Sequence, residues 1–285
     1  MGNKAIQAMD LTSLKAVIAD LRKEILPSRF EKAQQPHSDT IQLGFRTLKG
    51  LSWVEISWDS EAPRLVEINS PQRAGEESTL AKQIQYGLRN MALVEIQQNG
   101  FERIVKLGFS ERPKETLKKI LVLELMGRHS NLFLIDQTQK IITIGRQIRE
   151  NQSRFRPIST GDTYKDPPAL KGLKPNKEES FERWKGRLSL VPISLRKALA
   201  ESYQGISPSL ALQIASDQRE EAEKIINLNV DKISFELWEF LFSRWIKWLS
   251  KLEQERFTLK FKGATDFNVW DSTFQESSSE KRISL

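Results

Sequence analysis

The run TIQLGFRTLKGLSWVEISW, residues 40–58, decides the fold. Ile41, Leu43 and Phe45 fall at alternate positions and share one face of an extended strand, and Val54, Ile56 and Trp58 do the same after the Lys49-Gly50 turn. A period of two on both sides of a tight turn predicts an antiparallel hairpin, and the pattern holds from Arg29 to about Ile68. Upstream the period changes. From Leu11 to Leu26 the apolar residues Leu14, Val17, Ile18, Leu21 and Ile25 recur at three and four, with Asp10 at the N-cap position and Pro27 closing the run, which predicts an amphipathic helix. Downstream, Leu80, Ile84, Leu88 and Met91 mark a second helix whose exposed side includes Lys82, Gln85 and Arg89. A second β run follows: Leu93 to Gln97, Glu102 to Phe109, Ile120 to Leu125, Leu132 to Asp136 and Ile141 to Gly145, broken by Gly100, Pro113, Gly127 and Gln137-Thr138. Helix, strands, helix, strands predicts an α+β unit over residues 1–150.

Residues 151–176 hold Pro157, Gly161, Pro167, Pro168, Gly172 and Pro175 among charges, and read as a basic connector that contributes no core. Beyond it the pattern is helical. Segments at Phe181 to Val191, Leu195 to Tyr203, Leu210 to Ala215 and Arg219 to Leu228 make a helical domain over 177–230. A long helix from Phe235 to Leu252, with Leu237, Leu241, Trp245, Trp248 and Leu252 on one stripe, and two short strands (Phe257 to Lys262, Phe267 to Trp270) fill 231–271. The Ser-rich, charged segment 272–285 is expected to be disordered.

The chain has 285 residues, with 44 Lys plus Arg against 37 Asp plus Glu, a formal charge of +7. That balance favours an acidic partner such as nucleic acid, an anionic membrane or ribosomal RNA. The surplus is concentrated: between Arg154 and Lys197 eleven basic residues (Arg154, Arg156, Lys165, Lys171, Lys174, Lys177, Arg183, Lys185, Arg187, Arg196, Lys197) face five acids (Asp162, Asp166, Glu178, Glu179, Glu182). Either this is a solvated linker, or it is a surface that tracks phosphates. Cysteine is absent, which removes disulfides, thiolate catalysis and Cys-based metal sites, and only His37 and His129 supply imidazole. No metal or cofactor is expected. No apolar run approaches the roughly 20 residues of a membrane span, and the start has no signal-peptide core, so a cytoplasmic protein without a membrane partner is expected.

Three places offer chemistry. Glu102 and Arg103 follow Gly100, and in a strand they would point to opposite faces; an inward Arg103 needs an anion, either a carboxylate such as Asp10 or Glu124, or a phosphate or stacked base. The turn Met126-Gly127-Arg128-His129-Ser130-Asn131 carries a cation, a titratable ring and a hydroxyl beyond what a hairpin connection needs. In Gly205-Ile206-Ser207-Pro208 the order is Gly, N-cap Ser, Pro at N1, a helix start whose N–H groups are available to a phosphate. The chain has no GxxxxGK loop, GxSxG elbow or HExxH pair, so no enzymatic centre is expected.

Taken in order, Ala8-Met9-Asp10-Leu11, Arg29 to Pro36, Leu88-Arg89-Asn90, Gln98 to Val105, Glu124 to Leu132, Asn151-Gln152-Ser153-Arg154 and Gly205 to Pro208 resemble the NFACT-N region of the NFACT family, long labelled fibronectin-binding protein A-like. The resemblance implies a formamidopyrimidine-DNA-glycosylase-like plan: a β-rich amino-terminal domain with two helices, then an all-α domain of helix-hairpin-helix or H2TH character. It implies a tRNA- and large-ribosomal-subunit-binding module of ribosome-associated quality control, which rescues stalled ribosomes holding peptidyl-tRNA and directs alanine tailing with alanine tRNA. Asp10, Glu102 and Arg103 match the residues tied to that work, with Gly127, Arg128, His129, Ser130 and Asn131 supporting them and Arg154, Arg156 and Ser207 as phosphate contacts. The family usually has Asp-Arg where this chain has Glu102-Arg103, which moves the carboxylate out by about 1.5 Å, one bond length along the chain. The family also usually continues into a long coiled coil that the sequence does not reach before Leu285, which implies a truncated, split or short member. Two other functions are weighed. A fibronectin-binding surface adhesin follows from the older label, and a DNA-lesion glycosylase from the fold, although Met1-Gly2-Asn3 does not match that enzyme's proline nucleophile.

Overall fold

The computed structural model describes residues 8–71, 78–148, 156–262 and 266–270. The chain is α+β and divides into two compact units. One comprises the described residues of Val17–Asn99 and Arg103–Pro168; the other comprises those of Met1–Ala16, Gly100–Glu102 and Ala169–Ser278.

The first unit is a nine-stranded antiparallel sheet in the order β4-β3-β2-β1-β5-β6-β7-β8-β9. Strands β1 (Ser28–His37), β2 (Thr40–Thr47), β3 (Gly50–Ser57) and β4 (Arg64–Ile68) form one meander. Ile41 pairs with Ile56 and Leu43 with Val54, so the two alternating patterns lie on the same face and are buried together. Strands β5 (Ala92–Gln98), β6 (Ile104–Ser110), β7 (Lys119–Glu124), β8 (Asn131–Asp136) and β9 (Ile141–Ile144) form the second meander. The halves join where β1 pairs with β5, at Ser28 with Leu93 and Arg29 with Ala92.

Helix α2 (Thr79–Gly87) lies between the meanders in sequence, is capped by the Ser78 hydroxyl, and buries Ala81 and Ile84. It ends before the predicted Met91, with Leu88 as C-cap and Asn90 in the left-handed region. Gln85, expected on the exposed side, is half-buried. Beyond Arg29 strand β1 has left β5, and Gln85 supplies the bonds that strand lacks: its Oε1 accepts from Ala33 N at 2.7 Å and its Nε2 donates to Glu31 O at 3.2 Å.

The connector also differs from expectation. Ile158 and Tyr164 are buried with Phe133, Ile135 and Ile141 of the sheet, and Ile158 exchanges two backbone bonds with Ile148. A β-bridge and aromatic packing make part of this Pro- and Gly-rich segment core, which composition does not encode.

The second unit holds α3 (Phe181–Leu188), α4 (Leu195–Ser202), α5 (Pro208–Ala215), α6 (Arg219–Asn227) and α7 (Phe235–Gln254), with Ser180, Ser207 and Ser234 accepting from the first turns of α3, α5 and α7. It is not purely helical, since β10 (Lys260–Lys262) pairs antiparallel with β11 (Asp266–Asn268). Aromatic rings fill its core: Trp184 meets Trp238 edge-on at 5.6 Å, Tyr203 lies 4.8 Å from Trp245, and Trp245 lies 5.1 Å from Trp248. On α7 the fully buried residue of the first turn is Trp238, with the predicted Leu237 only partly covered. Helix α1 (Leu11–Ile25) begins among the residues of this unit and ends among those of the sheet unit.

Candidate functional site

In the helical unit two motifs that are 197 residues apart meet. Asp10 is 3% exposed. Its Oδ1 accepts from Ser13 N at 2.8 Å and Ser13 Oγ at 2.6 Å, which caps α1 as predicted. Its Oδ2 accepts from Ser207 Oγ at 3.0 Å and Ser209 Oγ at 3.4 Å, while Ser207 Oγ accepts from Leu210 N at the start of α5. One carboxylate therefore sits at two helix N-termini, where the partial positive charge of both stabilises it. The helix start expected to receive a phosphate receives Asp10 instead. Gly205, at φ +77°, makes the turn before α5 possible, and a Cβ there would come within 2.9 Å of Leu11 and 3.0 Å of Phe101. Thr12 Oγ1 accepts from Trp248 Nε1 at 3.0 Å.

Glu102 lies in the same unit and is half-buried; its Oε1 accepts from Leu170 N at 3.0 Å. Gln204 Nε2 donates to Leu170 O and Gly172 O, so Glu102 and Gln204 hold the 170–172 stretch from two sides. Glu102 and Arg103 precede β6 and do not begin it, so the alternation argument about their faces does not apply. Gly100, at φ +58°, turns the chain before them.

In the sheet unit Arg103, half-buried, accepts from Leu125 N at 2.9 Å through its carbonyl, which sets it beside the turn that joins β7 to β8. That turn is held by a set of local hydrogen bonds. Gly127 takes φ +56° and opens a 3-10 turn through His129. Ser130, buried, accepts from Met126 N at 2.8 Å, and Asn131, buried, accepts from Leu132 N and Arg146 N and donates to Arg146 O at 2.7 Å. Arg146, just past β9, donates back to Arg128 O and Ser130 O. Ser130 and Asn131 are thus internal fasteners, and Arg128 and His129 are the exposed members, with Arg128 Nε donating to His129 Nε2 at 3.1 Å. Arg103, Arg128, His129 and Arg146 gather at one end of the sheet. The sequence reading missed Arg146; its position directly after the Ile141 to Gly145 strand was the available signal.

Arg156 was expected to contact phosphate. It bonds instead to Glu124, which is 1% exposed, through Nη1 at 2.7 Å and Nη2 at 2.8 Å, and Tyr164 Oη donates to the same carboxylate at 2.8 Å. A buried carboxylate needs a charged, bidentate partner, and Arg156 is committed to it. Burial, reinforced by the Glu124 charge, pushes the Tyr164 phenol far above its ordinary range. Arg154 lies outside the described residues. Of the other cations of the basic stretch, Arg187 pairs with Glu179, Lys177 pairs with Glu253, and Lys185 lies over the rings of Phe181 and Phe235. Lys165, Lys171, Lys174, Arg183 and Lys197 are exposed. Among the described residues no helix is long and apolar enough to cross a membrane, and no group of three His, Asp or Glu residues is placed to hold a metal.

A large antiparallel sheet with a cationic end, and a Trp-rich helical unit knotted at Asp10, define an α+β protein of two compact units. The family model for the NFACT N-terminal and middle domains matches residues 10–284, and the chain belongs to that family. It is 28% identical over 211 residues to the Rqc2 homolog RqcH of Streptococcus suis (strain 05ZYH33), covering 71% of this chain and 37% of the relative. To the Rqc2 homolog RqcH of Bacillus subtilis (strain 168) it is 25% identical over 197 residues, covering 67% and 34%. The matched part is thus about a third of those relatives' length. The N-terminal structure of the fibronectin/fibrinogen-binding protein from Streptococcus suis aligns with a TM-score of 0.62 at 25% identity, over 78% of this chain and 85% of that one. The fibrinogen binding protein from Staphylococcus aureus shares the fold, with a TM-score of 0.70 at 19% identity over 93% and 91%.

Proposed function

We propose that this chain is a tRNA- and large-ribosomal-subunit-binding module of ribosome-associated quality control, cytoplasmic, acting by binding and positioning with no catalytic centre of its own. The observation that carries the reading is the end of the sheet, where a turn pinned by Asn131 and Arg146 holds Arg128 and His129 outward beside Arg103. Exposed Arg128 and His129 side chains on a turn whose backbone is held by its own bonds suit sugar-phosphate and unpaired bases, because their mounting is set before the ligand arrives. Membership of the NFACT family, and relatives named as RqcH, support the biological setting. In that setting the partner is alanine tRNA on a subunit with stalled peptidyl-tRNA, and the output is alanine tailing. Glu102 is assigned to holding the 170–172 stretch, and Asp10 to fixing two helix starts, so their part in tRNA binding is to organise the protein. The helical unit is read as helix-hairpin-helix on a glycosylase-like plan, on the strength of the Gly205 turn between α4 and α5.

The test is binding of labelled tRNA followed by anisotropy across a salt series. Affinity should fall linearly in log-log form, with a slope of about −0.7 to −0.9 per phosphate contact. Association that ignores salt would remove the reading. A second reading, fibronectin binding, is favoured by the 25%-identical fibronectin/fibrinogen-binding structure. Immobilised fibronectin separates the two: saturable binding to it with no tRNA binding selects the second.

A further inference from the structure

Helix α2 and the edge strand β9 border an open hollow of about 480 Å³, lined by Thr79, Lys82, Gln83, Tyr86, Gly87 and Ile142. We infer that this hollow binds one unpaired nucleotide of an RNA strand, its base on the Tyr86 ring and its phosphate at Lys82.

Four observations carry this. Tyr86 is 80% exposed, on a helix whose Ile84 and adjoining Leu88 are fully buried. An aromatic ring left out while its apolar neighbours pack inward is a surface that nothing among the described residues covers. Lys82 precedes Tyr86 by four residues and so lies on the same helix face, with the exposed Arg89 a turn beyond. Strand β9 is bulged here: its register passes from Leu134 paired with Thr143 to Ile135 paired with Ile141, and Ile142 is the extra residue, turned into the lining. Gln83 Oε1 accepts from the Thr143 hydroxyl, which fixes the amide at the border of the hollow.

An aromatic face with a lysine one turn before it, beside an open, largely apolar volume of this size, fits the base and phosphate of a single nucleotide. A duplex offers no open base face, so the ligand is unpaired. The hollow lies on the strand that leads to the cationic end of the sheet: β9 ends at Ile144, and Arg146, which bonds to the turn, follows Ile142 by four residues, at most about 13 Å of extended chain. The inference rests on the RNA reading proposed above.

The experiment titrates the full chain into a ten-nucleotide single-stranded RNA carrying 2-aminopurine, its duplex form, and labelled tRNA, using the parent chain and Y86A, Y86L, Y86W, K82A and R128A variants. The parent is expected to quench 2-aminopurine in the single strand and not in the duplex. Y86A should weaken single-strand binding about tenfold, the size of one base–aromatic stack. Y86W should retain binding, Y86L should fail to restore it, and K82A should lower its salt dependence. Tyr86 is on the surface, so unchanged melting curves will confirm intact variants. Y86A binding as tightly as the parent, or Y86L binding as tightly as Y86W, overturns the inference. If tRNA binding falls with R128A and not with Y86A, the hollow is not on the RNA path, while the proposed function stands. If neither RNA binds, both fall.

Discussion

The Ser207 hydroxyl donates to the Asp10 carboxylate at 3.0 Å, and the same hydroxyl accepts from Leu210 N at 3.0 Å. Ser207 thus caps α5 and donates a hydrogen bond to the residue that caps α1, so two helix starts share one hydrogen-bonded system. Because the carboxylate is buried, each of these bonds is made in a medium that strengthens it, and each lost partner leaves a charge without solvent.

Asp10→Ala is expected to destabilise the chain by roughly 2–4 kcal/mol, one lost cap plus charge-assisted bonds, and Ser207→Ala by roughly 1–3 kcal/mol. The double variant should be less damaged than the sum, with a coupling of about 0.5–3 kcal/mol in urea denaturation. Strict additivity would mean the hydroxyl and carboxylate do not act together.

Alkaline pH provides a second test. Burial first, then the Glu124 charge, raises the Tyr164 pKa above 10, and burial with the Glu179 bond raises that of Tyr203. Above pH 10 the unfolded chain loses these protons and the folded chain keeps them, so stability, complete below pH 10, falls as pH rises, by up to about 1.4 kcal/mol per pH unit for each phenol. Urea midpoints between pH 9 and pH 11 should fall less steeply for Tyr164→Phe and Tyr203→Phe than for the parent. Parallel lines for all three proteins would show that the phenols ionise as readily folded as unfolded.

What the sequence revealed and what it hid divide along physical lines. Alternation at Ile41, Leu43 and Phe45 against Val54, Ile56 and Trp58 is a local signal, and the pairing of Ile41 with Ile56 follows from it. Ser180, Ser207 and Ser234 are legible as helix starts because a cap acts on its own next turn. Each end of the Asp10–Ser207 bond was readable as a cap, yet their meeting was not, since nothing periodic links positions so far apart. Arg156 looked like one more cation of a basic linker; its commitment to Glu124 depends on a strand 32 residues away. Within the Gly127–Asn131 turn, composition could not separate the exposed Arg128 and His129 from the buried Ser130 and Asn131, because backbone direction decides which polar group meets solvent.

Removing the Arg156 side chain leaves a buried carboxylate without its partner. Arg156→Met should cost roughly 3–5 kcal/mol, because Glu124 would lose the bidentate bonds and the opposite charge that offset its burial. Adding Glu124→Gln should recover most of that loss, since the carboxamide has no charge to leave uncompensated. A single variant as stable as the parent in thermal denaturation would show that the ion pair contributes nothing. A role for Arg156 as a phosphate contact predicts the reverse: little change in stability and a shallower salt dependence of tRNA binding.

The pinned turn separates binding from stability. Arg128 and His129 are exposed, so Arg128→Ala and His129→Ala should each change stability by no more than about 0.5 kcal/mol. Arg128→Ala should nonetheless reduce the magnitude of the salt slope for tRNA by about 0.7–0.9, one phosphate contact. Asn131→Ala removes three bonds, to Leu132 N, Arg146 N and Arg146 O, and should cost about 1–3 kcal/mol. Gly127→Ala forces a side chain into φ +56° and should cost about 1–2 kcal/mol. Both of the latter variants should bind tRNA more weakly without changing the salt slope as Arg128→Ala does, because they loosen the platform and leave its charges in place. An unchanged slope in Arg128→Ala would remove this end of the sheet from the RNA contact, since Arg128 is the exposed guanidinium that the turn presents.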